Sequence, residues 1–529
     1  MRQLIGFLSL FMLGYSHSQG QEKCPRPDEI APCQCRTRGP SIQVRNAFAG
    51  IEDFITELYI KEPNLKNFPL ESVDYLHKLE VFSIENSKII DIPRIAGWPP
   101  ESLHSLALAN FSDNAISWIH PRAFSYSHYL TEINLKGNAI SDAGIIGRAM
   151  GYVQSLEHLD ISHNLLTEVK QGKFFSNPSI EIHRFELQYR NRIERFMSDA
   201  FVDSSNIEKL FLNRNKIQSL SDINFLMDTL PRLRYLELSE NEIRDIPFGV
   251  FRSYPKLERL FLSGNQISQI STEGLADMPS LRLDISNNGI TLIDKDAFKG
   301  VSNLDYLNVS YNNIKELDPS MFSNLKELYE LDMSFNELTF LSSNLLASQN
   351  KLEYISLSNN QLQNLPSSLL SLDNRVKHLD LTSNFVRKFP DDLINKLKNL
   401  KKLLFIRNSL DKLTSQSFLK LTSLESIQLH DNRIEIIDND TFQHLHSLKH
   451  LDLSLNIIST VGVALNPLSN LIKLNLSDNY ITVLPQKTFT SLKRLSTLDV
   501  SNNTIREISE AFKDMPALKY LDLSYNHYP

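Results

Sequence analysis

The chain of 529 residues contains three cysteines, all between Cys24 and Cys35. The long remainder therefore has no thiol for redox chemistry or metal ligation. Glycine is scarce, at 17 residues, and no low-complexity linker interrupts the sequence. No Gly-rich phosphate loop, HExxH pair or GxSxG elbow is present, so catalysis, metal binding and cofactor use find no footing. The net charge of -7 is mild, with no basic stripe or polybasic tail, which argues against nucleic acid as a partner. After the first twenty residues no apolar run is long enough to span a bilayer.

The N-terminus is different in kind. Arg2 supplies a charged start, Leu4 to Leu13 form a short apolar stretch, and Ser16, Ser18 and Gly20 come after it. Residues 1–20 are expected to be a secretory signal peptide. Secretion places the cysteines in an oxidising compartment. Residues 21–54, with Cys24, Cys33, Cys35 and several prolines, are expected to form a cap over the open apolar end of the segment that starts at residue 55. Three is an odd number, so one thiol is unpaired or joined to another chain. Cys33 and Cys35 are too close to pair comfortably, and the expectation is Cys24–Cys35 with Cys33 free.

From residue 55 to the end one short pattern repeats about twenty times: LxxLxLxxN, an apolar residue two places on, and often a Phe ten places after the Asn. The Asn positions run Asn138, Asn164, Asn191, Asn215, Asn241, Asn265, Asn288, Asn312, Asn336, Asn360, Asn384, Asn408, Asn432, Asn456, Asn479, Asn503 and Asn526. Ten of the sixteen intervals are 24 residues, and the 26- and 27-residue ones cluster between Asn138 and Asn241. Three weaker copies precede these, around Pro63, Ser87 and Asn114.

In the copy around Asn336, Leu331 and Met333 alternate with Glu330, Asp332 and Ser334. That is the period of a strand with one face inward, and it predicts Ser334 on the outer face. Repetition stacks such strands in parallel. The wider remainder of each repeat bends the stack, with the sheet on its concave side and an irregular convex side. The fold class is thus an α/β solenoid, a curved leucine-rich repeat horseshoe. Each Asn is expected to face inward and satisfy backbone groups of its turn and of the neighbouring coil. The Phe row (Phe124, Phe174, Phe201, Phe251, Phe298, Phe322, Phe418, Phe442, Phe489 and Phe512), with Leu275, Leu346, Leu370 and Ile394 as substitutes, fills the convex half of the core. The stretch Leu281-x-Leu283 is one residue short and should bend the stack locally.

The 24-residue unit, preceded by CPRPDEIAPCQC, resembles extracellular leucine-rich repeat proteins of the arthropod type, the chaoptin-, artichoke- and connectin-like adhesion proteins. The cap also resembles that of the non-catalytic subunit of a shrimp luciferase. Two features depart from the resemblance. A fourth cap cysteine is missing, with Val44 near its place, and no second Cys-rich cap precedes Pro529. The expectation is a truncated gene model, a fragment, or an end covered by a partner, and a membrane anchor would lie in any missing part.

Outward strand positions carry the expected contact surface. Asp160, Asp284, Asp332, Asp380, Asp452, Asp499 and Asp522 recur in one row, as either generic decoration or a surface for a basic or Ca²⁺-bearing partner. Phe211, Tyr235 and Phe261 break the polar rule on neighbouring copies, flanked by Lys209, Glu237 and Arg259. Aromatic residues beside Arg favour binding, and Phe211, Tyr235, Phe261, Lys209 and Arg259 form the candidate ligand site. Sequons stand at Asn110, Asn308, Asn439, Asn475 and Asn502. His444, His446 and His450 need not converge on a metal.

The function expected is a secreted or cell-surface recognition and adhesion scaffold that binds an extracellular protein on its concave face and is not an enzyme. Two alternatives stand beside it: a stabilising non-catalytic subunit of a secreted enzyme, joined through Cys33, and an ectodomain fragment of a Toll-like receptor.

Overall fold

The computed structural model describes residues 33–35 and 54–527, apart from 74–75, 95–102, 170–181, 198–199, 202–203, 224–228, 252–253, 273, 277, 280, 487 and 509. The signal segment, Cys24 and Phe174 lie outside the described residues. Two compact units divide the chain, Met1–Glu242 and Ile243–Pro529.

In the first unit, eight short parallel strands succeed one another from Glu57–Ile60 to Tyr235–Glu237, and Cys33–Cys35 pairs in parallel ahead of them. In the second unit, twelve run from Arg259–Phe261 to Tyr520–Asp522 with in-register pairing throughout. Each unit is a parallel β-solenoid in which one repeat contributes one strand to the main sheet, and some repeats add a second, two-residue strand to small parallel pairs such as Glu168–Val169 with Arg195–Phe196. The alternation explains why: Leu331 and Met333 are buried while Glu330 and Asp332 stay half-exposed. Ser334 departs from the sequence reading. It is buried, because its N–H donates to Asp332 Oδ1 at 2.9 Å and folds the chain inward just past the strand.

The Asn ladder forms as a set of cross-repeat staples. Asn336 Nδ2 donates to Val309 O of the preceding repeat at 2.9 Å and to Met333 O of its own repeat at 3.2 Å. Its Oδ1 accepts the Ile314 N–H at 3.0 Å. Asn164 does the same in the first unit, with Leu135 O, Ile161 O and the Ile140 N–H. Donors and acceptors that the strand leaves unpaired are thereby satisfied in the interior, where an unpaired group is costly.

These turns require a conformation that the sequence pattern does not announce. The residue before the ladder Asn has positive φ in repeat after repeat, including His163, Arg214, Tyr311, Phe335 and Leu455. Bulky side chains rarely adopt this region, and the Asn amide bonds hold them there. At Gly137, with φ of 72°, a Cβ would meet the Asp113 carboxylate, which would have to move aside.

The other side of each repeat is mostly turns. Phe124, Phe201, Phe251, Phe298, Phe322, Phe418, Phe442 and Phe489 are buried there, as are Leu275, Leu346, Leu370 and Ile394, while Phe512 is half-buried. Phe418 and Phe442 stack across repeats at 5.9 Å. Helix is sparse. The long Asn138–Asn164 interval is taken up by the helix Ala143–Met150, started by Asp142, whose carboxylate accepts the Gly144 N–H. At the short interval Met278 is buried while Leu281 is 39% exposed, so the missing residue expels a leucine from the core.

Candidate functional site

In the first unit, strand register sets out two rows on the sheet face. The first strand positions are Glu132, His158, Arg184, Lys209 and Tyr235, and the third positions are Asn134, Asp160, Glu186, Phe211 and Glu237. Long side chains cross between the rows. The Arg184 guanidinium lies 4.7 Å from the Phe211 ring centroid, and the Phe211 and Tyr235 rings lie 4.9 Å apart. Tyr235 Oη donates to Glu237 Oε2 at 3.1 Å. Phe211 and Tyr235 are thus brought together diagonally and are half-buried by their neighbours. Lys209 is exposed directly opposite Tyr235.

Glu186 anchors the other end of this cluster. Its Oε1 accepts from Arg184 Nε at 2.7 Å and meets His158 Nε2 at 3.0 Å, and its Oε2 accepts from Gln188 Nε2 at 2.7 Å. Burial alone would raise this carboxyl. Hydrogen bonds and charge from His158 and Arg184 outweigh burial and hold it down at about 2. Its cross-strand neighbour Asp160 goes the other way, raised chiefly by burial. The result is a braced ionic and aromatic strip running from Glu132 to Glu237.

Arg259 and Phe261 belong to the second unit and share its first strand, Arg259 exposed and Phe261 half-buried. Register places Arg259 beside Arg282 and Phe261 beside Asp284. Arg282 in turn lies over the Tyr306 ring at 4.3 Å. The Asp row has a local role. Asp332, Asp380 and Asp452 accept the N–H two residues on, at 2.9, 2.8 and 3.0 Å, which closes the turn after each strand. Among the described residues no group of three or more His, Cys, Asp or Glu side chains forms a metal cage, and His444, His446 and His450 do not assemble one.

The sequons differ in their surroundings. Asn110 Nδ2 donates to Glu85 Oε1 at 3.0 Å. Asn308 and Asn475 are half-buried on strands, each accepting the N–H two residues on. Asn502 is exposed but donates to Asp478. Asn439 is exposed in a turn.

Sequence reasoning missed Arg184, Glu186 and His158. Their repeats fall among the irregular intervals, and counting back from Phe185 and Leu159 to the flanking strand positions is the signal that would have found them. It also missed the Arg282–Tyr306 pair and the stacked Tyr354 and His378 rings, which lie 4.5 Å apart.

Profiles described as leucine-rich repeat match residues 231–283, 282–338, 374–434, 422–480 and 469–527, with further leucine-rich repeat matches at 126–147 and 351–372. Together these cover more than half of the chain, which is a leucine-rich repeat protein. It is 30% identical over 203 residues to Podocan of Mus musculus, covering 38% of this chain and 31% of Podocan. It is 28% identical over 199 residues to Tsukushi of Xenopus tropicalis, covering 38% of this chain and 48% of Tsukushi. The chain thus spans less than half the length of these curated relatives, which are secreted extracellular proteins. The same fold occurs in the glycosylated Toll–Spatzle complex of Drosophila, at 20% identity and a TM-score of 0.59, covering 94% of this chain and 62% of that one. No catalytic family is indicated by these matches. No helix among the described residues is long and apolar enough to cross a membrane.

Proposed function

We propose that this protein is a secreted or cell-surface recognition scaffold of the arthropod adhesion type, and not an enzyme, which binds an extracellular protein through its strand face. The observation that carries this reading is the Arg184–Phe211–Tyr235–Glu237 strip. Aromatic rings and a guanidinium already fixed in place lose little entropy when a partner docks. Lys209 beside it, and Arg259 with Phe261 in the second unit, are assigned to the same role. The likeness to Toll, solved in complex with Spatzle, supports a protein as ligand by fold alone. The same likeness keeps a receptor ectodomain as the second reading.

The processing steps read from the sequence belong to this proposal: removal of residues 1–20, a Cys24–Cys35 disulfide in a cap of residues 21–54, and Cys33 free or linked to another chain. Glycans are assigned to Asn110, Asn308, Asn439, Asn475 and Asn502. Asn439 is expected to be the most fully occupied, because its side chain is exposed.

Proximity labelling by the tagged chain on living cells, with wild type and F211A/Y235A compared, tests the reading. A surface protein labelled by wild type and lost in the variant supports it. Identical labelling by both would refute the assigned strip. Stoichiometric recovery of a secreted enzyme would instead favour the subunit alternative.

A further inference from the structure

We infer that the strand face of the second unit carries a basic ridge, built from Lys377, Lys401, Lys402, Lys449 and Lys473 beside the stacked rings of Tyr354 and His378, that binds a linear sulfated polysaccharide.

Backbone bonding defines the ridge. The Lys401 N–H donates to Lys377 O, the Glu425 N–H to Lys401 O, and the Lys449 N–H to Glu425 O, so these four residues hold equivalent positions on successive repeats. In the row beside them, strand register aligns His378, Lys402, Ser426, His450 and Lys473. Five lysines thus face Glu425 and, at one end, Glu353. Both glutamates are engaged: Glu425 with Lys449 at 2.6 Å and Lys401 at 3.9 Å, Glu353 with Lys377 at 2.8 Å. Lys402 and Lys473 are exposed. His378 and His450 both sit below the usual imidazole value, first through burial and then through the lysines around them.

The shape of the ridge selects a polymer. Lys377 to Lys473 spans four strand steps, about 20 Å at the usual spacing. The parallel row that includes Asp380 and Asp452 bounds it on one side and repels an anion that strays. The strands beneath are paired on both flanks, leaving no edge onto which a peptide strand could add. Recognition falls to charges and ring faces. The Tyr354 and His378 rings are stacked 7° from parallel at one end of the ridge. A flat ring face suits the C–H face of a sugar, and the lysines suit its sulfates.

The test is binding of the full chain, freed of N-glycans because Asn475 stands two residues from Lys473 on the same strand, to immobilised heparin, to desulfated heparin and to poly-L-glutamate over a range of salt. Wild type is expected to bind heparin, to release it as salt rises, and to prefer it over both other polymers. K401Q/K402Q, and independently K449Q/K473Q, should each weaken heparin binding about tenfold by removing two exposed charges. F211A/Y235A should bind heparin as wild type does. Absence of heparin binding by wild type, or full binding by both lysine variants, would overturn the proposal. Poly-L-glutamate bound as tightly as heparin would also overturn it, in favour of an acidic protein segment.

Discussion

The two units share one scaffold and display different surfaces on it. Asn164 in the first and Asn336 in the second make equivalent bonds to the preceding repeat. The spacing differs: long intervals and the helix Ala143–Met150 fall in the first unit, while the second keeps near-constant 24-residue steps. The faces differ more. On the first unit, cation, ring and carboxylate are locked to one another, from Glu132 to Glu237. On the second, lysines line up beside a row that includes the turn-closing Asp380 and Asp452. The interior staples therefore constrain the outward strand positions very little. The same ladder supports a braced aromatic strip in one unit and a basic ridge in the other.

The largest expected effect tests whether the scaffold really is shared. Asn164→Ala and Asn336→Ala each remove several buried hydrogen bonds and leave backbone partners unsatisfied. Each should cost about 3–5 kcal/mol, since an orphaned buried group costs about 1–3 kcal/mol. Urea unfolding of the two variants should give similar losses. A loss below about 1 kcal/mol in one of them would show that the ladder does not bear equally on both units.

The next effect separates the faces by pH. The Glu186 carboxyl is held down at about 2 in the folded chain, below its value in an unfolded chain. Its contribution is therefore fully present above the unfolded value and disappears as pH falls toward 2. Stability lost across that acid window should be about 2 kcal/mol larger in wild type than in Glu186→Gln. On the second unit Glu425 is also lowered, through its hydrogen bond to Lys449, but it stands in solvent. Glu425→Gln should change the acid limb far less. Melting temperature against pH measures both, and equal effects would erase the distinction between a braced and an open carboxylate.

Smaller still are the surface truncations. F211A/Y235A loses a ring pair and a cation–ring contact, so a cost of about 1–2 kcal/mol is expected. K401Q/K402Q alters only exposed groups and should stay within about 0.5 kcal/mol of wild type. Differential scanning calorimetry checks this order. A lysine variant less stable than the aromatic one would mean that the ridge is structural.

The sequence made the scaffold legible because each repeat states the same physical demand. Leu331 and Met333 must point in, Asn336 must satisfy a turn, and Phe322 must fill the far side. Summed over many copies, the period overrides any local ambiguity. Ser334 lies two residues past the strand, where strand alternation no longer holds, in a turn closed by Asp332. The left-handed backbone at Tyr311 and Phe335 left no compositional mark, since the fold tolerates almost any residue there.

The candidate site was only half legible. Phe211 and Tyr235 stood out as aromatic residues in polar slots. Arg184, Glu186 and His158 did not, because charged residues are ordinary in such slots and their contacts run diagonally between repeats. The lysine ridge was invisible for a similar reason. Its members are spread through the sequence from Lys377 to Lys473, and only stacking in register gathers them into one strip.

The central claim is that the strand face around Phe211 and Tyr235 holds another protein. Its most direct test is site-specific photocrosslinking on living cells, with a benzophenone side chain placed at Lys209 or, as a control, at Lys326, exposed on a turn. A discrete crosslinked protein is expected from Lys209 and none from Lys326. Crosslinking from Lys326 alone, or no adduct at Lys209 in cells that retain the tagged chain, would contradict it.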